Sequence, residues 1–146
     1  MVLTLNIVHG FEHEDINSAL YNSVGGSPSI QSSVVRTGTY AAHCAAAATI
    51  ARISLSLSIS DNKSSAGTDY IIGVAVRFTD VTPGSNVDFL QFRVGGSPSD
   101  VAIGVRLKTD GDIGIINAVG TEVATATPSL TANQWYYFEL YHHPGS

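Results

Sequence analysis

Residues 101–119 read VAIGVRLKTDGDIGIINAV, and this stretch decides the fold class. Val101, Ile103, Val105 and Leu107 recur at every second position, which puts them on one face of a β-strand. Asp110-Gly111 then breaks the pattern. Glycine reaches positive φ without steric cost, so this pair signals a tight turn. DIGIINAV follows as the returning, antiparallel strand.

Working outward, the same period of two recurs. WYYFELY (135–141) alternates: Trp135, Tyr137, Glu139 and Tyr141 on one face, Tyr136, Phe138 and Leu140 on the other. Glu139 shares the first face, so the second is expected to enter the core. DFLQFRV (88–94) sets Leu90, Phe92 and Val94 on one face. YIIGVAVRF (70–78) is apolar on both faces, including Val74 and Val76, which suggests a central strand. RISLSLSIS (52–60) alternates serine with isoleucine and leucine. LTLNIV (3–8) reads as a first strand, the stretch from His9 to Ser29 as a polar loop, and SIQSSVV (29–35) as a second strand. TYAAHCAAAATIAR (39–52) favours helix by alanine propensity but is flanked by strands, and is read as small residues in a crowded sheet. VGGSPS occurs at Val24–Ser29 and again at Val94–Ser99; the flanks differ, so it is turn chemistry used twice. The expectation is roughly eight or nine strands without a helix, an all-β sandwich or barrel, in one domain spanning residues 1–146.

Composition narrows the function. Apolar residues are 44% and charged residues 13%, against about 25% charged in an ordinary soluble domain. The net charge of −5 and the scattered seven Lys and Arg argue against a nucleic-acid partner. No stretch approaches the ~20 apolar residues of a membrane-spanning helix. The start, MVLTLNIVHGFEHED, lacks the basic region and cleavage site of a signal peptide, so synthesis in the cytoplasm is expected. Cys44 is the single cysteine, expected as a small buried strand residue.

Three stretches resemble one family: GFEHEDI (10–16); Arg36, Gly38, Tyr40 and Ala41 as R-x-G-x-Y-A; and Leu130 with Trp135, Tyr136, Tyr137 and Glu139 as L-x-x-x-x-W-Y-Y-x-E after the glycine hairpin. Together they look like the concanavalin A-like, laminin-G-like jelly roll of phage and prophage virion proteins. The resemblance implies an antiparallel β-sandwich with Tyr40, Val74, Val76, Phe92, Trp135, Phe138 and Leu140 in its core. Trp135 is expected to cap the edge of that core through its N–H. Family members add a G-x-V-x-V-x-V-N-G hairpin and closing strands after the tryptophan strand, whereas this sequence stops at Ser146. The expectation is therefore a sheet that lacks its final strands, or one that neighbours complete. Trp135, Tyr137 and Tyr141 would then form an open edge or subunit contact.

Chemistry is sparse. Glycosidases on such folds need two carboxylates flanking the scissile bond, but Glu139 stands alone on its strand and Asp110 and Asp112 flank a turn. His9, Glu12, His13, Glu14 and Asp15 are five possible metal ligands within seven residues, read as a solvated acidic loop. Ca²⁺ enters through the resemblance only, and no cofactor is expected. His142 and His143 read as ordinary tail residues. Tyr21, Tyr40, Tyr70 and Trp135 are conceivable sugar platforms, though core packing explains most of them. The leading expectation is a non-enzymatic structural virion protein, a capsid decoration or tail/fibre component. It would pack against sister subunits or other virion proteins as a homo-oligomer in an assembly. The alternatives are a lectin-like module for host surface glycans and a fragment of a polysaccharide-degrading enzyme.

Overall fold

The computed structural model describes residues 23–25, 28–44, 52–54, 70–93 and 101–143. These form ten strands and no helix, and every strand pair is antiparallel. The chain divides into two compact units, Met1–Ser60 and Asp61–Ser146.

In the first unit, β1 (Ser23–Gly25) pairs with β4 (Arg52–Ser54), and β2 (Ser29–Gln31) pairs with β3 (Ala41–His43). β1 lies inside the segment read as a polar loop. Its Val24 is opposite Ile53, a cross-strand apolar pair that the surrounding Ser and Gly residues hide in a composition reading. The expected strand 29–35 stops at Gln31 for a local reason. The Gln31 carboxamide accepts from the Val34 N–H at 2.9 Å and donates to the Val34 carbonyl, so the side chain closes a bend. Gly38 has φ +75°, the left-handed turn that R-x-G-x-Y-A calls for. Tyr40 is half-buried just before β3, and the buried residue is Ala41. Cys44 follows the end of β3 and is exposed, which corrects the expectation of a buried strand cysteine. The strand at 3–8, the loop ligands His9 to Asp15, Tyr21, the alanines after Cys44, the serine face beyond Ser54 and the second VGGSPS lie outside the described residues.

In the second unit, β6 (Val87–Arg93), β7 (Val101–Leu107), β8 (Ile113–Asn117) and β9 (Glu122–Ala126) form a four-stranded meander in that order. β5 (Tyr70–Arg77) pairs with β10 (Trp135–His142) over eight rungs. Among the described residues β5 has this one neighbour, so the central position expected for it is not seen there.

The two tight hairpins of the meander share one design. At β7–β8, the Lys108 N–H bonds the Asp112 carbonyl and the Gly111 N–H bonds the Lys108 carbonyl. At β8–β9, Asn117, Thr121 and Gly120 repeat that pattern. Both glycines have positive φ, +89° at Gly111 and +76° at Gly120. The Asn117 carboxamide also accepts from the N–H groups of Val119 and Thr121, which replaces the part Asp110 plays by accepting from Asp112.

The two sheets of this unit share a core, an arrangement compatible with a β-sandwich. Leu90, Val105, Leu107 and Ile113 come from the meander and Leu140 from the ribbon. Ile72, Val74, Phe92 and Phe138 pack against them. Fully burying a side chain such as Leu107 or Leu140 is worth about 1.5–3 kcal/mol. Strict alternation would turn Phe89 away from this core. However, the β6–β7 register runs from Asp88–Arg106 directly to Leu90–Val105, so Phe89 is the extra residue of a bulge. Its ring turns inward and meets Phe138 edge-on at 4.8 Å and Phe78 at 5.1 Å, and Phe78 and Phe138 are themselves 6.1 Å apart, so the three rings form one cluster. The connection before β10 is tied down as well. Leu130 packs on the core, and the Thr131 N–H donates to the Tyr136 hydroxyl at 2.7 Å. The Asn133 N–H donates to the Phe78 carbonyl, and Arg77 Nε donates to the Asn133 carbonyl at 2.9 Å.

Candidate functional site

The outward face of the β5–β10 ribbon carries the residues of greatest interest. Rungs pair Trp135 with Arg77, Tyr137 with Ala75, Glu139 with Gly73 and Tyr141 with Ile71. Because Leu140 is 5% exposed and Phe138 joins the core, alternation sends this set outward. Tyr137, Tyr141 and Ile71 are 61%, 52% and 44% exposed. Trp135 is half-buried at the end of the strip. Gly73 and Ala75 leave β5 low. A Cβ at Gly73 would lie 1.8 Å from the Tyr137 hydroxyl oxygen, so the ring leans diagonally across the bare glycine. The result is a row of outward aromatic rings with one cation, Arg77, near one end and one carboxylate, Glu139, towards the other.

Of the residues expected in the core, Leu140 is buried, and Val74, Phe92 and Phe138 pack against the buried cluster. Val76 is half-buried on the inward face of β5, opposite Tyr136. Trp135 takes the outward face, where it shares the strip with Tyr137 and Tyr141. Tyr40 belongs to the first unit.

A second constellation lies on the outer face of the meander, and sequence reading missed it. Arg106 grips Asp88 through two nitrogens, at 2.6 and 3.1 Å. Lys108 lies within 4.0 Å of Asp110, Asp112 and Glu122. Gly104 and Gly114 form bare floor positions covered by neighbours: Ile116 and Gln91 lie over Gly104, and the Glu122 carboxylate lies over Gly114. Ile116 is thereby 2% exposed without belonging to the core between the sheets. Asp88, Gln91, Val101, Ile116 and the β8–β9 turn border an open groove of about 490 Å³.

The electrostatics there are those of ion pairing. Glu122 is held below its ordinary pKa by the Thr125 hydroxyl, which outweighs the opposing desolvation, helped by Lys108 and Arg106. Asp110 is lowered by the Asp112 N–H, against some desolvation, and by Lys108. Lys108 loses some charge stability to desolvation, but Asp110 and Glu122 more than restore it and raise its pKa. A general acid working near neutral pH needs its carboxyl pKa raised, the reverse of what Glu122 and Asp110 show. Among the described residues no cluster of three or more His, Cys, Asp or Glu side chains is placed to hold a metal; an ammonium, Lys108, occupies the centre of the acidic group. Gln91 is fixed by two bonds from Arg93 to its carbonyl oxygen, so the groove's polar groups are largely engaged by their own chain.

The register of β6 against β7 is what reveals this network. Asp88 and Arg106 are cross-strand partners, a relation that no spacing along the chain displays.

Compared with protein-family models, curated proteins and solved structures, the chain matches none. The likeness to virion jelly rolls therefore rests on the residues quoted for it.

Proposed function

We propose that this chain is a non-enzymatic structural protein of a bacteriophage virion, a capsid decoration or tail/fibre component. In this reading it has a concanavalin A-like, laminin-G-like jelly-roll architecture and acts by packing against sister subunits or other virion proteins. The observation that carries the packing role is the outward face of β5–β10, with Tyr137, Tyr141 and Ile71 exposed together over Gly73 and Ala75. Single exposed hydrophobes are ordinary on protein surfaces, but two exposed tyrosines and an isoleucine on one ribbon face favour a partner. Tyrosine and tryptophan suit such contacts because they bury much area with little loss of rotamer freedom. The virion assignment draws on the R-x-G-x-Y-A and W-Y-Y-x-E stretches. Low charge, 13% of residues, agrees with a subunit that faces neighbours.

The test is direct. Phage-like particles from the source cells are purified on a density gradient and their peptides identified by mass spectrometry. Peptides of this chain at many copies per particle are expected. Their confinement to the soluble fraction refutes the assignment.

A second reading has its own observation. Trp135, Tyr137 and Tyr141 share one face, and such rings stack on the apolar faces of sugars. A lectin-like module recognising host surface glycans would retain a defined glycan on an array and lose it on Tyr141→Ala. A blank array removes this reading.

A further inference from the structure

We infer that the occupant of the β5–β10 outer face is a second copy of this chain, docked face to face about a two-fold axis that crosses the ribbon at the Tyr137–Ala75 rung. This rests on the packing role proposed above and names the partner. The charges on this face are self-complementary. Along this face Arg77 stands one rung step on one side of Tyr137, and Glu139 stands one step on the other. A two-fold axis lying in the interface, perpendicular to the strands, exchanges those two positions. It sets Arg77 of one copy against the Gly73–Glu139 rung of the other, where the Tyr137 ring covers the glycine and Glu139 is the facing charge. The reciprocal pair forms at the same time. The two Tyr137 rings fall at the centre, where interface hot spots concentrate. Axes along the strands leave Arg77 facing the partner's Arg77 rung, which places like charges together.

The footprint sets the strength. Eight residues at ~3.3 Å by two strands at ~4.8 Å cover roughly 250 Å² per copy. A stable standard interface takes ~800 Å² per partner. The pair is thus weak and reversible in dilute solution and gains from the high local concentration inside an assembly.

The experiment is sedimentation velocity on the full chain from about 10 µM to about 1 mM, with three variants: Glu139→Arg, Arg77→Glu, and the double swap. The wild type is expected to sediment faster with rising concentration. Each single reversal weakens association roughly tenfold, because two symmetry-related pairs turn repulsive, and the swap restores it. Arg77 also bonds the Asn133 carbonyl, so Glu139→Arg, which disturbs no such bond, is the cleaner arm. Association that ignores both reversals, or a swap that does not rescue, overturns the pairing. A chain that stays monomeric at ~1 mM yet is recovered in virions overturns the two-fold contact and leaves the proposed function standing. A chain that dimerises as described but is absent from particles does the opposite.

Discussion

The contact between Phe89 of β6 and Phe138 of β10 joins the two sheets of the second unit, and its removal has a calculable effect. The rings are 4.8 Å apart at 64°, an edge-on geometry. Such a pair is worth about 0.5–1.5 kcal/mol beyond the area it buries. Phe89→Leu and Phe138→Leu keep most of the apolar volume, so each is expected to cost about 1–2 kcal/mol, less than the 3–5 kcal/mol of a full Phe→Ala truncation. Once either ring is gone the pair term is already lost. The double variant should therefore destabilise less than the sum of the singles, by about 0.5–1.5 kcal/mol. Urea unfolding of the four proteins at one pH reads this directly, with the m-value checked for constancy. A matching thermal series should move Tm by about 2–4 °C per kcal/mol for a chain of this size. Additivity within about 0.3 kcal/mol refutes the reasoning. It would mean that Phe89 does not turn inward at the bulge and that the sheets do not meet there. Phe78, which is 5.1 Å from Phe89 and 6.1 Å from Phe138, supplies a control: its loss should couple to both.

Further outcomes are expected. Gly111→Ala should destabilise more than Gly120→Ala: both pay about 1–2 kcal/mol for a left-handed residue, but a Cβ at Gly111 also lies 3.3 Å from the Val81 carbonyl, whereas at Gly120 it meets nothing within 4 Å. Equal losses by urea unfolding would show that the contact with Val81 is immaterial. Glu122 and Asp110 have folded pKa values below their ordinary 4.5 and 3.8, so their contribution is present above those values and fades as pH falls through the lowered ones. Acid unfolding of Glu122→Gln should accordingly be shallower than wild type between about pH 5 and pH 2; an unchanged pH profile contradicts the shift. Lys108 has the opposite sign, its contribution being lost only as pH rises above its ordinary 10.5. The exposed Cys44 should react with a maleimide in the native state, but slowly, because desolvation raises its pKa and leaves little thiolate at neutral pH. Protection that disappears only on denaturation would place Cys44 inside.

β7 and β10 were legible because each buries one face and their residues carry the period of two without interruption. Val105, Leu107 and Leu140 are examples. The Asp110-Gly111 turn was legible for a similar reason, since it depends on one residue type at one position. Its twin at Val119-Gly120 has the same backbone pattern but no acidic partner before the glycine, and it passed unnoticed in the sequence. What failed was whatever depends on another strand. Phe89 faces inward because β6 carries one more residue than β7 across from it, and nothing within DFLQFRV announces that insertion. β1 pairs with β4, whose Ile53 stands opposite Val24 from twenty-nine positions away. β2 ends early because one glutamine side chain outcompetes the ladder for Val34. The candidate strip was half visible: alternation separates Tyr137 and Tyr141 from Phe138 and Leu140, but the room for the Tyr137 ring comes from Gly73, which sits on a different strand.

That glycine is where the structural and functional arguments meet. Folding requires only that Phe138, Leu140, Ile72 and Val74 point inward, and it leaves the opposite face of both strands free to be polar. A solvated ribbon would carry Lys, Glu, Ser or Thr at those positions, as edge and surface strands ordinarily do. Here the outward rungs instead hold Trp135, Tyr137, Tyr141 and Ile71, with Glu139 and Arg77 as the two charges. Core packing does not account for residues that are 61% and 52% exposed, because exposed rings add little to the stability of a monomer. Gly73 is also a poor strand residue, costing about 0.5–1 kcal/mol relative to alanine. The ring of Tyr137 occupies the space a Cβ there would need. A weak strand residue beneath an exposed tyrosine is a local cost to folding without a local return. Gly73→Ala therefore separates the two roles: it should hold or slightly raise the stability of the isolated chain while displacing Tyr137 and weakening association through this face. If stability falls and association is untouched, the strip belongs to the fold and the partner must be sought elsewhere.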